Sequence, residues 1–390
     1  MKKGICRIAA VWLLAAVTLL GGVSPALAAA PLYRQTHVVE RYQKKNAALA
    51  HRYYDGCARP LDGSDGTPDL CLPGLTEEDN MVPQGIAYYA AKNQMLVSAY
   101  SKGDAGSVIF ALDLTDGHLA AEYHIIRRSG NPAQAHFGGI AVSEYNLYIA
   151  DYESTVSYVP LAALNAADGE AADVTLAGTV DCAAFLNGAN TSYIGCGDGL
   201  LWTGNYYDAT TEGYAKKAAE DCGTVVLCFA LQGSDPESEW ESLVGESGAC
   251  VAPASSLRVP EAVDRVQGVW LRGGTAYLNV SAGITHPDYL YTARVDYETG
   301  QILRDGLRKT MAIPYAEDLT MAEGTLYTLA ESGAYCYRTG SGRLLYRQPT
   351  DTVWALDAEQ LAQAQADPLR SVRAVCRWFL FLFGWLKAAV

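Results

Sequence analysis

The chain has 390 residues, half of them hydrophobic and 18% charged, a composition that supports a large core and excludes a disordered chain. Its 43 acidic residues against 29 Lys and Arg give a net charge of −14, and no basic run resembles a phosphate-binding stripe, so nucleic acid is not an expected partner. Twenty-five Tyr and 37 Gly point to many short strands separated by tight turns.

At the N-terminus, Lys2, Lys3 and Arg7 precede an apolar run from Ile8 to Val23, and Ala26-Leu27-Ala28 follows with the small residues that signal peptidase cuts after. Residues 1–28 therefore read as a secretory signal, which makes the protein secreted or extracytoplasmic; an uncleaved N-terminal anchor is the competing reading. Its removal takes the net charge from −14 to −17.

Residues 29–80 form a lead-in, with a polar helix expected from Val38 to Tyr54 and then a loop rich in Asp and Gly bracketed by Cys57 and Cys71. Outside the signal and the C-terminal tail eight cysteines remain, and an even number in an exported chain favours disulfides; Cys57–Cys71 is the expected local bridge. No pair has the CxxC spacing of a zinc or redox motif, and Asp62, Asp65 and Asp69 lack the spacing of an EF-hand.

From 81 to 362 a strand-turn-strand unit recurs five times. Its copies align at Gly85, Gly139, Tyr193, Gly268 and Asp318, with spacings of 54, 54, 75 and 50 residues. A period near fifty with several strands per unit predicts an all-β protein, a β-propeller of five blades, with a sixth to be assembled from sequence near Ala171–Val180 or the N-terminal segment. A long insertion after Asn205 and a polar stretch from Gln232 to Gly248 offer recognition surfaces or flexible decoration.

The tail, 363–390, carries Arg370, Arg373 and Arg377 at helical spacing before an apolar stretch from Trp378 to Leu386 that is too short to span a bilayer. It reads as a C-terminal helix lying in an anionic membrane surface, a peripheral contact through Trp378, Trp385, Arg373 and Arg377; docking on the protein's own body or a dimer contact is the other reading.

Pro83-Gln84-Gly85-Ile86, Val266-Gln267-Gly268-Val269 and Ala316-Glu317-Asp318-Leu319 are each followed about ten residues later by a strand with a Leu/Ala-Tyr step. On these residues the body resembles, at the level of fold, the propellers of the senescence-marker/gluconolactonase, strictosidine-synthase-like, paraoxonase-like and NHL families. In the hydrolases among them, inner-strand acids and Asn/Asp residues hold calcium at the mouth of the central channel. The resemblance implies Glu317 as such an acid, with Gln84, Gly138, Ser192 and Gln267 at the equivalent places in the other copies.

Polar residues that open inner strands converge on one end of a propeller channel. The candidates for binding a small molecule, glycan or protein there are Gln84, His136, Asn190, Arg265 and Gln267, with His136 also the candidate for a catalytic base. Glu317, Asp318, Asp151 and Asn205 are the candidate calcium ligands, the competing reading being that they satisfy backbone donors at strand ends. No nucleophile elbow, HExxH helix, Walker loop or dinucleotide fingerprint occurs. Two functions stay open: an exported propeller that binds a ligand or partner at the channel mouth and loops, and a calcium-dependent lactonase or esterase.

Overall fold

The computed structural model describes residues 33–39, 50–103, 105–151, 153–167, 171–209, 223–245, 248–281, 287–339 and 349–364. The signal, residues 40–49 of the expected lead-in helix, most of the insertion after Asn205, and the tail with Arg373, Arg377, Trp378 and Trp385 lie outside them.

The first strand, β1 (Ala58–Pro60), belongs to the last blade. Blade 1 follows with β2 (Met81–Tyr89), β3 (Gln94–Ser101), β4 (Ser107–Asp113) and β5 (Leu119–Ile126), and blade 2 begins with β6 (Gly139–Val142), β7 (Asn146–Ala150) and β8 (Thr155–Pro160). Next in the chain are β9 (Ala171–Thr175) and β10 (Gly178–Asp181). Blade 3 is β11 (Thr191–Gly197), β12 (Leu200–Asn205), β13 (Val225–Ala230) and β14 (Ser255–Arg258). Blade 4 is β15 (Val266–Arg272), β16 (Thr275–Val280) and β17 (Tyr289–Asp296), edged by β18 (Gln301–Ile302) and β19 (Arg308–Met311). Blade 5 starts with β20 (Ala316–Ala322), β21 (Thr325–Ala330) and β22 (Trp354–Asp357). Within each blade successive strands pair antiparallel.

The inner strands β2, β6, β11, β15 and β20 neighbour one another in that cyclic order, and β20 meets β2 again. The ring closes with five blades. The segments held in reserve for a sixth are outer strands instead: β9 runs parallel to β5 at the edge of blade 1, and β10 completes blade 2 beside β8.

Closure is made by the lead-in. β1 pairs antiparallel with β22, setting Ala58 opposite Leu356 and Pro60 opposite Trp354, so blade 5 takes its outermost strand from the start of the chain. Proline is tolerated there because an edge strand leaves an N–H unused. Ala50–Gly56 is a pair of short 3-10 turns broken by a kink at Tyr53–Asp55 ahead of β1, with Tyr54 fully buried and tilted against Trp354, and Ala358–Ala364 is helical. β2 is buried at eight of its nine positions, as a strand covered on both faces requires.

The Cys57–Cys71 bridge is not formed, and both thiols are free. Strand register gives the reason. Cys57 sits opposite Asp357, whose N–H it accepts, and Cys71 sits opposite Thr352. Five residues of extended chain separate those partners by about 16 Å, far beyond the reach of a disulfide. Among the described residues, the thiols that do approach are Cys182 and Cys250, Sγ to Sγ 3.5 Å.

The polar stretch after Gln232 is docked rather than free. A short helix, Pro236–Glu241, is started by an Asp235/Ser238 capping box. It buries Glu239, which accepts from Asn146 Nδ2 at 2.9 Å and the Tyr148 hydroxyl at 3.0 Å, and stacks Trp240 on Tyr158 of blade 2.

Candidate functional site

The antiparallel pairing places the starts of all inner strands and the ends of all second strands on one face of the ring. Four of the five inner strands carry a register shift at this level, between Pro83 and Ile86, Thr191 and Tyr193, Val266 and Gly268, and Ala316 and Leu319. Such bulges re-aim side chains, here at the channel.

One step below the mouth, the aligned positions are Gly85, Gly139, Tyr193, Gly268 and Asp318. The glycines are there because backbones meet. A Cβ on Gly139 would stand 2.7 Å from Ile194 N, and one on Gly268 would stand 2.7 Å from Asp318 Cα. The space left by the missing side chains is crossed by Asp318, fully buried, which reaches from blade 5 to accept the Ile86 N–H of blade 1 at 3.3 Å and also accepts the Ile140 N–H of blade 2. Burial, only partly offset by these donors, holds its carboxyl well above the usual range. Its Oδ1 has no hydrogen-bond partner among the described residues.

At the mouth, Glu317 is buried with Gln267 Nε2 3.5 Å from its Oε1. Burial pushes its pKa up, and the neighbouring Glu331, Asp288 and Asp318 add to the effect. Glu331, one residue past β21, accepts from Gln84 Nε2 at 3.0 Å. Burial raises its pKa to about 7, against the opposing pull of the Gln84 amide, Lys102 and Tyr337. A carboxyl that titrates near neutrality within a polar mouth is a group poised for ligand or proton exchange.

Beside these acids lies an aromatic platform. Tyr100, at the end of β3, stacks on His136 with ring centroids 4.1 Å apart and planes 10° apart. Lys102 Nζ lies 4.8 Å from the Tyr100 centroid and 5.8 Å from that of Tyr337. His136 is exposed, so its ring offers a face to whatever enters. Partial desolvation and, second, the Lys102 charge lower its pKa, which keeps it neutral at physiological pH.

The remaining candidates from the sequence are used differently. Asp151 is buried in a bidentate pair with Arg127, which arrives from the end of blade 1, and also accepts from the Ser157 hydroxyl at 2.7 Å. Asn205 accepts the Val225 N–H at 2.9 Å and donates to the Gly223 carbonyl at 3.2 Å, both in its own blade. As a calcium ligand set, Glu317, Asp318, Asp151 and Asn205 are thus not brought together. Arg265, in a left-handed conformation, is tied to Asp208 at 3.2 Å and Asp264 at 3.6 Å, and Asn190 lies half-buried just ahead of β11. Gln84, Gln267, Glu317, Asp318 and His136 do gather on the side of blades 4, 5 and 1. Glu331, Tyr100, Lys102 and Tyr337 complete that side and were not singled out by sequence. Extending the five-copy alignment along the second strands reaches two of them, since Tyr100 and Glu331 each stand three residues beyond the aligned Val97 and Thr328.

No family model and no curated protein matches the chain. Among solved structures it is similar to a GH43 beta-xylosidase/alpha-arabinofuranosidase from a compost microbial metagenome, at 11% identity over 74% of this chain and 93% of that one, with a TM-score of 0.39. It is similar to a Myxococcus xanthus glutaminyl cyclase at 11% identity over 65% and 87%, with a TM-score of 0.37. A Xanthomonas campestris gluconolactonase is similar at 15% identity over 86% and 98%, with a TM-score of 0.33. The propeller assignment stands on this chain's own closed ring of inner strands.

Proposed function

We propose that the protein is an exported propeller that binds a saccharide at the channel mouth, on the side of blades 5 and 1. The observation that carries the reading is the placement of the Tyr100–His136 stack beside Glu331, Gln84 and Lys102. A sugar ring presents an apolar C–H face to an aromatic platform while its hydroxyls need both acceptors and donors, and this mouth supplies a carboxyl, an amide and an ammonium. Titration calorimetry of the purified protein against neutral and amino mono- and oligosaccharides tests it. Binding that weakens at least tenfold in both His136→Ala and Glu331→Gln is the expected result. No binding across the panel, or binding unchanged in both variants, overturns it.

A second reading, hydrolysis of a lactone or ester, is favoured by Glu331 alone, whose near-neutral carboxyl suits a general acid or base. It requires turnover of lactone or ester substrates that is lost in Glu331→Gln, and absence of turnover removes it.

A further inference from the structure

Away from the channel, where the N-terminal strap meets blade 5, three side chains from distant parts of the sequence converge. His37, Cys71 and Asp351 bring Nδ1, Sγ and a carboxylate oxygen within 4.8 Å of one another, the one such His/Cys/Asp/Glu group found among the described residues. Cys71 is 3% and Asp351 2% exposed.

His37 stands between two carboxylates. Nε2 lies 3.0 and 3.1 Å from the two carboxylate oxygens of Asp69, so Nε2–H donates there. The other ring nitrogen, Nδ1, is buried and stands 3.4 Å from Asp351 Oδ2 without a close hydrogen bond. A ring so flanked calls for positive charge at Nδ1, carried by a proton when no metal is bound and by the metal when one is. The separation is long for a charge-assisted N–H···O bond, which runs at about 2.7–2.9 Å. It matches two ligands held at about 2.0–2.2 Å on one tetrahedral ion, which stand roughly 3.3 Å apart.

We infer that His37 Nδ1, Cys71 Sγ and Asp351 form a zinc site, with the fourth position open to water. A nitrogen, a thiolate and a carboxylate are a zinc-type donor set. The surroundings have the form that orients metal ligands: Asp69 holds the imidazole from behind, and the Val38 and Val39 N–H groups hold Asp351 Oδ2 at 2.8 and 3.1 Å. Zinc displaces the thiol proton of Cys71 and the Nδ1 proton of His37 to solvent, and no electron moves. The ion ties the strap (33–39), the loop after β1 and the approach to β22, the three segments that meet where the last blade is closed. It ties segments that lie away from the channel mouth, independent of whatever the channel binds.

The test uses the full chain, zinc, and cobalt as a spectroscopic probe. One zinc per chain retained through desalting, a fall in Tm of about 5 °C on chelation, and a thiolate-to-cobalt charge-transfer band are expected. Cys71→Ser and His37→Ala lose the retained metal and the band. Asp69→Asn, which keeps all three ligands, folds as wild type by circular dichroism and binds zinc about 10- to 100-fold more weakly, so the inference survives a folding failure of the ligand variants. A folded chain that takes up no zinc, a cobalt complex without a thiolate band, or uptake undiminished in Asp69→Asn overturns it.

Discussion

The two sides of the channel mouth use the same strand positions in opposite ways. On the side of blades 5 and 1, Glu317, Glu331 and Gln84 face one another and their neighbours Lys102 and Tyr337, and burial pushes the pKa of both acids up. On the side of blades 2 and 3, Gly138 and Ser192 open the inner strands, Asp151 is committed to Arg127, and Asn205 to the backbone of its own blade. A polar residue at the end of a propeller strand is therefore a strut wherever a neighbouring element supplies its counter-charge or donor, and a site residue where its neighbours are further acids.

Removing the strut should give the largest effect. Arg127→Ala leaves the fully buried Asp151 carboxylate without its bidentate partner, and breaking such a pair costs about 3–5 kcal/mol. Urea unfolding measures the loss, and a change below about 1 kcal/mol would show that the pair is dispensable. The outer rim of this side has a brace of its own. Oxidised glutathione should convert the Cys182 and Cys250 thiols to a disulfide, releasing two reduced glutathiones, and closing a 68-residue separation raises stability by about 4 kcal/mol. Peptide mapping reads the cross-link, and its absence after oxidation would show that 3.5 Å approach does not become a bond.

At the level between the two sides, Gly139→Ala drives a Cβ to 2.7 Å from Ile194 N and 3.1 Å from Asp318 Oδ2. Neither backbone nor the buried carboxyl has room to yield, so a destabilisation of about 2 kcal/mol is expected by thermal unfolding. Alanine tolerated there would mean that the ring is looser than its contacts indicate.

The five-fold plan was legible in sequence because strand, turn and strand are local, and the copies align on the residues that line the channel. What was not legible depends on partners far along the chain. The pairing of Ala58–Pro60 with Trp354–Asp357 spans nearly the whole sequence, and nothing in three residues announces it. Cys57 and Cys71 suggested a bridge by proximity in sequence, whereas register against β22 decides that they are apart. Asp151 looked like a metal ligand until its Arg127 arrived from another blade. Glu331 was written at the end of a second strand, but its character comes from burial beside Glu317, which no local pattern encodes.

Glu331 gives the comparison a pH signature. Its carboxyl titrates near 7 in the fold against an ordinary value of 4.5, so the folded protein binds this proton more tightly than the unfolded chain. That contribution is fully present below about pH 4.5 and is lost as pH rises through 7. Glu331→Gln, which still accepts from Gln84, should narrow the stability difference between acid and neutral conditions by about 3 kcal/mol, and an unchanged pH profile would remove Glu331 as the titrating group.

The smallest effect on folding and the clearest on function belong to His136→Ala. The ring stacks on the Tyr100 face at an exposed position, so its loss costs about what an aromatic stack contributes, about 0.5–1.5 kcal/mol. Saccharide binding loses half its platform and should fall at least tenfold, while the Glu331 titration, which depends on burial and on Gln84, stays where it is. Replacement by Phe separates the two properties of the ring. His136→Phe keeps a flat face and should recover binding if stacking is what the mouth uses, whereas failure of Phe to rescue would assign the contact to the imidazole nitrogens and turn the platform into a hydrogen-bonding site.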